Sequence, residues 1–292
     1  MSRKTFQEAL GSGKFVITTE VGPPKGTNIE KLLSAIDLLK GRVDGINVTD
    51  NQSSVMRVSS LAICHLVQEK GGEAILQQTC RDRNRMALES ELLGANVLGI
   101  HNLLCLTGDH LSAGDHKDAM PVFDLDSVQL IQIAKMMEAG KDSAGNELKG
   151  AVKFCVGATV NPGSNPFEPQ LLKFEKKIAA GAQFFQTQAI FEVEGFSRFM
   201  KRVEGFKIPI LAGVIPLKSP GMAKYMNKNV AGVNVPDRLI EEMTKAENKE
   251  SKGIEIAARM IKDLKGVCPG VHIMAIGWEE KVPEILSQAG IG

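Results

Sequence analysis

Eight times along the chain a short apolar or β-branched run gives way to a segment whose apolar residues recur at helical spacing. The runs occupy 15–21, 45–50, 73–80, 102–108, 153–160, 184–190, 209–216 and 272–277. Between them, Phe196, Phe199, Met200 and Val203, and again Val282, Ile285, Leu286 and Ala289, follow the i, i+3, i+4, i+7 rhythm of a helix packed on a sheet. Strict alternation of this kind requires parallel strands, each joined to the next by a crossover helix. Eight such units in 292 residues fit a (β/α)8 TIM barrel. An open doubly wound sheet carries fewer strands and a GxGxxG turn after the first, and no such turn follows residue 21. No Pro-, Gly- or Ser-rich linker divides the pattern, so a single domain over 1–292 is expected. Glycines at 94, 181 and 290 suit helix C-caps, and the polar stretch 244–253 reads as a solvated junction between helices inserted before the last strand.

Composition removes several function classes. Lys plus Arg number 35 against 34 Asp plus Glu, a net charge of +1, so no overall field draws in nucleic acid or anionic lipid. Five cysteines (Cys64, Cys80, Cys105, Cys155, Cys268) without a CxxC pair argue against a disulfide framework or closed zinc site and for reduced thiols. Neither a signal-like apolar segment nor a membrane-length run is present, and a cytoplasmic protein is expected.

In this fold chemistry belongs at the C-terminal ends of the strands, and those ends are polar: Thr19 and Glu20; Thr49 and Asp50; Gln77, Gln78 and Thr79; Thr107, Gly108 and Asp109; Gln186, Thr187 and Gln188. Helix capping explains Asp50 and Asp82 equally well, but Glu is a poor cap and VGPPKG after Glu20 opens no helix. Patterns for serine hydrolases, zincins and P-loops are absent, and the five histidines form no ligand cluster; His110 and His116 read as surface residues. Two carboxylates with amides suit a site that protonates one atom and steadies a cation nearby, with Glu20 as general acid and Asp109 as the fixed negative charge. Neither side chain moves electrons, so redox chemistry would need a cofactor.

The segments ITTEVGPPKG, INVTDNQSS, QQTCRDRN, LCLTGDH and KKIAAGAQFFQTQAIF resemble those of methylenetetrahydrofolate reductases, most closely the form in the acetyl-CoA pathway of one-carbon metabolism. The likeness runs from about Phe15 to the end, and LTGD together with AGAQFFQTQ is its specific part. It implies a flavin-binding barrel that reduces 5,10-methylenetetrahydrofolate to 5-methyltetrahydrofolate. By resemblance Glu20 is the general acid in opening the substrate's five-membered ring, Asp109 lies near flavin and pterin and faces the 5-iminium cation, and Gln188 binds the pterin. Thr49, Gly108, Ala158 and Lys177 fall at flavin contacts, with Gln77 and Thr107 where the family carries His and Arg.

Those departures leave FAD and FMN both open, with Arg81, Arg83 and Arg85 as a candidate phosphate clamp. Met222 and Met226 replace the residues that stack pyridine nucleotide, and Trp278 replaces an Arg near the substrate tail, so electrons are expected from another protein subunit. An oligomer is compatible with this. Two other readings fit the strand ends: a flavin-free barrel methyltransferase that binds methyltetrahydrofolate, and a scaffold or electron-relay subunit of a larger complex.

Overall fold

The computed structural model describes residues 5–291; positions 1–4 and 292 of the expected domain lie outside the described residues. In chain order the elements are α1 (Phe6–Leu10), β1 (Val16–Val21), α2 (Glu30–Leu39), β2 (Gly45–Val48), α3 (Ser60–Glu69), β3 (Ala74–Thr79), α4 (Arg85–Val97), β4 (Asn102–Leu106), α5 (Ser127–Glu138), β5 (Cys155–Val160), α6 (Glu168–Ala180), β6 (Phe184–Ala189), α7 (Val193–Val203), β7 (Ile210–Val214), α8 (Pro220–Asn229), α9 (Asp237–Lys245), α10 (Lys249–Leu264), β8 (Gly270–Ile273) and α11 (Val282–Gln288). The strands close in sequence order into a parallel barrel, β8 returning to β1 with Val16 beside Gly270 and Thr18 beside His272. Closure and the ring of helices bury both faces of nearly every strand, which is why the strands read as apolar runs.

Side-chain alternation divides each strand between two environments. Outward residues such as Ile46, Leu76, Val156, Phe185, Ala212 and Val271 pack under the helices in the main core. Inward residues at the N-terminal end form a separate apolar floor of Val16, Ile75, Leu104, Cys155, Phe184 and Leu211. Helix α1 stoppers that end. Its Thr5 and Glu8 form a reciprocal capping box, its Phe6 amide donates to Glu73, and the Phe6 ring meets Phe184 edge-on at 5.1 Å between centroids. Gly157 makes room for this: a Cβ there would sit 2.2 Å from the Phe184 ring.

The helical faces at 196–203 and 282–289 bury Phe196, Phe199 and Val203, and Val282, Ile285 and Leu286, as their spacing predicts. Three expectations are corrected. The last strand begins at Gly270 and ends at Ile273 rather than spanning 272–277. Gly270 has to be a glycine because a Cβ would stand 2.3 Å from the Val16 carbonyl oxygen, so a residue that reads as a breaker is the point of closest strand contact. Gly94 lies inside α4, and the turn out of that helix is made by Gly99 at φ +74°, while Gly181 (φ +113°) and Gly290 (φ +68°) do stand at helix ends. The junction between helices expected over 244–253 is present but shorter, residues 246–248 between α9 and α10, and Gly253 is buried where a Cβ would meet the Leu217 carbonyl oxygen at 2.1 Å.

Candidate functional site

A cavity of about 430 Å³ opens at the C-terminal mouth of the barrel, a size suited to a small-molecule ligand. Glu20, Gln77, Thr107, Gly108, Asp109, Lys177 and Gln188 all line it, although they come from β1, β3, the loop after β4, α6 and β6. Thr49 is adjacent in the barrel wall but does not line the cavity, and Ala158 turns its methyl outward into the core beneath the helices. Alternation requires this of Ala158, because its neighbours Gly157 and Thr159 face inward.

Glu20 is 6% exposed. Its Oε2 lies 3.7 Å from His272 Nε2, and its Oε1 is 3.5 Å from the Gln52 amide. Asp109 is the opposite case: it is exposed on the rim, and among the described residues its carboxylate has no hydrogen-bond or ion-pair partner. What is fixed is its backbone, whose carbonyl accepts from Ser54 Oγ at 3.0 Å and from Arg81 Nη1 at 3.4 Å. Gln188 is half-buried and accepts the Ala189 amide at 3.0 Å, beside an irregularity in β6–β7 pairing between Gln186 and Ala189.

Lys177 reaches from α6 into the wall and donates to the Thr159 carbonyl at 2.6 Å. Burial, aided by Lys173, lowers its pKa to about 8. Thr107 is tied to the start of α5, its hydroxyl accepting the Ser127 amide at 3.2 Å beside the N-cap Asp126. Gly108 adopts φ +92°, where a Cβ would press on Thr79 and Arg81 at 3.1 Å, so its bare backbone faces the cavity.

The three arginines do not form a phosphate clamp. Arg81, 1% exposed, pairs with Asp82 through two hydrogen bonds of 2.8 and 2.7 Å and also binds the Asn51 carbonyl and Ser54 hydroxyl. Arg83 pairs with Asp50 and Glu91, and Arg85 with Asp124. A guanidinium so occupied offers little to an incoming anion. Arg81 instead ties the loops after β2, β3 and β4 together. The first of these holds Asn51, Ser53 and Ser54 at φ of 43°, 56° and 58°, strained backbone for non-glycine residues that the surrounding contacts maintain at the cavity edge. His110 and His116 are exposed, as expected, and no group of residues suited to a metal occurs among the described residues.

A layer below Glu20 contains residues the sequence reading did not single out for a site: Thr18, Asn47 and His272 join Gln186 in one buried hydrogen-bonded set. The available signal was spacing. Thr18, Asn47 and Gln186 each stand two residues before a strand-end residue already flagged, and so share its inward face.

Several features fit a planar cofactor with an anionic tail. Thr49 Oγ1, next to the cavity-lining Asp50, is buried without a hydrogen-bond partner. Gly108 presents bare backbone, and Lys177 supplies a cation from the wall.

The family model described as "Methylenetetrahydrofolate reductase" matches residues 5–290. "Methylenetetrahydrofolate reductase 2" of Schizosaccharomyces pombe is 26% identical over 97% of this chain and 47% of its own length. The chain thus spans about half that relative, and 36% of a "Probable methylenetetrahydrofolate reductase (NADPH)" of Caenorhabditis elegans. "5,10-methylenetetrahydrofolate reductase" of Salmonella typhimurium is 27% identical over 90% of this chain and 86% of its own. Among solved structures, a Clostridium thermocellum protein described as binding two copies of 5-methyl-5,6,7,8-tetrahydrofolic acid superposes with a TM-score of 0.64. It is 16% identical, covering 97% of this chain and 96% of that one, a likeness of fold.

Proposed function

The chain belongs to the methylenetetrahydrofolate reductase family, and from that premise we propose that it reduces 5,10-methylenetetrahydrofolate to 5-methyltetrahydrofolate with a bound flavin, FAD or alternatively FMN. The observation that carries this reading is the convergence of a buried carboxyl, Glu20, and an exposed one, Asp109, on one cavity together with Gln188 and Lys177.

The chemistry supplied by a bound flavin is hydride delivery to the one-carbon unit. The chain's own residues do the rest. Glu20, shielded from bulk water, gives a proton to the ring nitrogen as its bond to the bridging carbon breaks; the bonding electron pair stays on nitrogen and a 5-iminium cation results. Asp109, whose carboxylate has no partner among the described residues, faces that cation and favours it. The Gln188 amide holds the pterin edge, and Lys177 and the Gly108 backbone would hold the cofactor. Electrons reach the site through a partner subunit: Met226 is buried in the small core around α8 and α9 with Met222 packed against it, and neither lines the cavity.

Purified protein tests this directly. It is expected to be yellow, to release a flavin whose mass distinguishes FAD from FMN, and, once reduced by an artificial donor, to be reoxidised by 5,10-methylenetetrahydrofolate. A colourless protein that binds methyltetrahydrofolate would overturn the reading in favour of a methyl transferase. Rapid stoichiometric bleaching by NADH would remove the partner subunit from the scheme.

A further inference from the structure

Beneath Glu20 lies a chain of four buried polar side chains that the proposed reaction leaves unused: Asn47, Gln186, Thr18 and His272, each 3% exposed or less. Asn47 and Gln186 exchange two hydrogen bonds, 2.8 Å from Asn47 Nδ2 to Gln186 Oε1 and 3.1 Å from Gln186 Nε2 to Asn47 Oδ1. The second hydrogen of Gln186 Nε2 goes to Thr18 Oγ1 at 3.1 Å. Thr18 therefore accepts from Gln186 and has one hydrogen of its own to place. His272 Nδ1 stands 3.0 Å away and the Val271 carbonyl 3.4 Å, so the ring nitrogen is the better acceptor.

We infer that His272 is a positioning residue for Glu20, held by this chain as the neutral Nε2–H tautomer so that its N–H points at Glu20 Oε2. An accepting Nδ1 leaves the imidazole proton on Nε2, the nitrogen 3.7 Å from Oε2. Reversing both amides would keep the Asn47–Gln186 exchange but turn the Thr18 hydrogen toward Gln186 and the His272 proton onto Nδ1. A ring lone pair would then confront a carboxylate lone pair, so the Nε2–H direction suits an ionised Glu20 better. An N–H at Oε2 also fixes the rotation of the carboxyl group, leaving Oε1 on the side of Gln52, which lines the cavity. The carboxyl group is thus held in one orientation toward the cavity.

The inference rests on the general-acid role given to Glu20, but its first test does not. In 15N-histidine-labelled protein, with His272 assigned by its loss in His272→Gln, the nitrogen shifts are expected to report Nε2–H; an Nδ1–H ring overturns the proposal. Thr18→Val removes the donor to Nδ1 and is expected to mix the tautomers and lower kcat for folate reduction about 10-fold, a fraction of the about 10²- to 10⁴-fold that a general acid supplies. KM for folate and flavin content should not move. His272→Leu is expected to lose more, about 10- to 100-fold in kcat within that same range, and His272→Gln, whose amide still donates, to recover part of the loss. Equal turnover in wild type and His272→Leu, or loss through KM or flavin content alone, overturns it. Should wild-type protein fail to reduce folate at all, the functional reading fails, and the tautomer in the wild type and in Thr18→Val still decides this one.

Discussion

The two ends of the barrel interior are built from the same eight strands with the same inward alternation, yet they have opposite chemistry. At the N-terminal end Val16, Ile75, Leu104, Cys155, Phe184 and Leu211 fill the bore under the Phe6 plug. Two or four residues further along the same strands stand Thr18 and Glu20, Gln77 and Thr79, Thr159, and Gln186 and Gln188. Packed apolar contacts bear on folding, and the polar mouth, with an orphaned hydroxyl, strained loops and a rim carboxylate, is arranged for a ligand instead. The Thr18–Asn47–Gln186–His272 layer is the boundary, buried like the floor and joined by hydrogen bonds as burial demands.

Substitutions at the two ends should separate these roles. The largest effect is expected at Glu20→Gln: folate reduction falls about 10²- to 10⁴-fold while flavin content, flavin reduction by an artificial donor and melting temperature stay near wild type. Near-normal folate turnover in that variant would remove Glu20 from the mechanism. Phe184→Ala at the floor should do the reverse, losing about 3–5 kcal/mol in denaturant unfolding with little change in turnover per folded molecule. Asp109→Asn is expected to cost about 10- to 100-fold in folate reduction, less than an enclosed charge because the rim is screened by solvent. Unchanged kinetics would leave Asp109 a loop residue held through its carbonyl.

Lys177 gives a pH test with a fixed sign. Its amine is charged below about pH 8 and neutral above. If it holds an anionic flavin tail, flavin affinity should fall as pH rises through that value, and Lys177→Met should bind more weakly with no such slope. Stability moves the other way. Between about 8 and the ordinary 10.5 the unfolded chain binds a proton that the folded chain does not, so unfolding titrations should show stability rising with pH across that window. The smallest effect is expected at Thr49→Val: apo-protein stability unchanged or slightly raised, because no hydrogen bond is lost. A clear loss of apo stability would mean that the hydroxyl is satisfied without ligand.

Much of the mouth was legible because a buried parallel strand rarely ends on a polar side chain unless that side chain faces a ligand or caps the next helix. Glu20, Gln77, Asp109 and Gln188 were found that way, and the structure places them on one cavity. Ala158 was placed by likeness to a motif, and strand parity, read from Gly157 and Thr159, would have turned it outward. Arg83 and Arg85 resembled a basic cluster because their carboxylate partners at 50, 91 and 124 are set by tertiary contacts, and Arg81 because nothing in the spacing shows that it folds back on Asp82. Residue spacing cannot show which guanidinium is already paired. The last strand starts before the apolar run at 272, because the close approach of Val16 makes glycine the residue that fits at 270.

The sequence by itself determined the eightfold alternation, the parallel strands and the polar strand ends, since periodicity and burial are local consequences of the backbone geometry. Only the tertiary structure decided that Glu20 on the first strand and His272 on the last stand 3.7 Å from each other, and that Arg81 is spent on joining three loops. Both follow from barrel closure, which sets the last strand against the first and brings every strand end to a single rim.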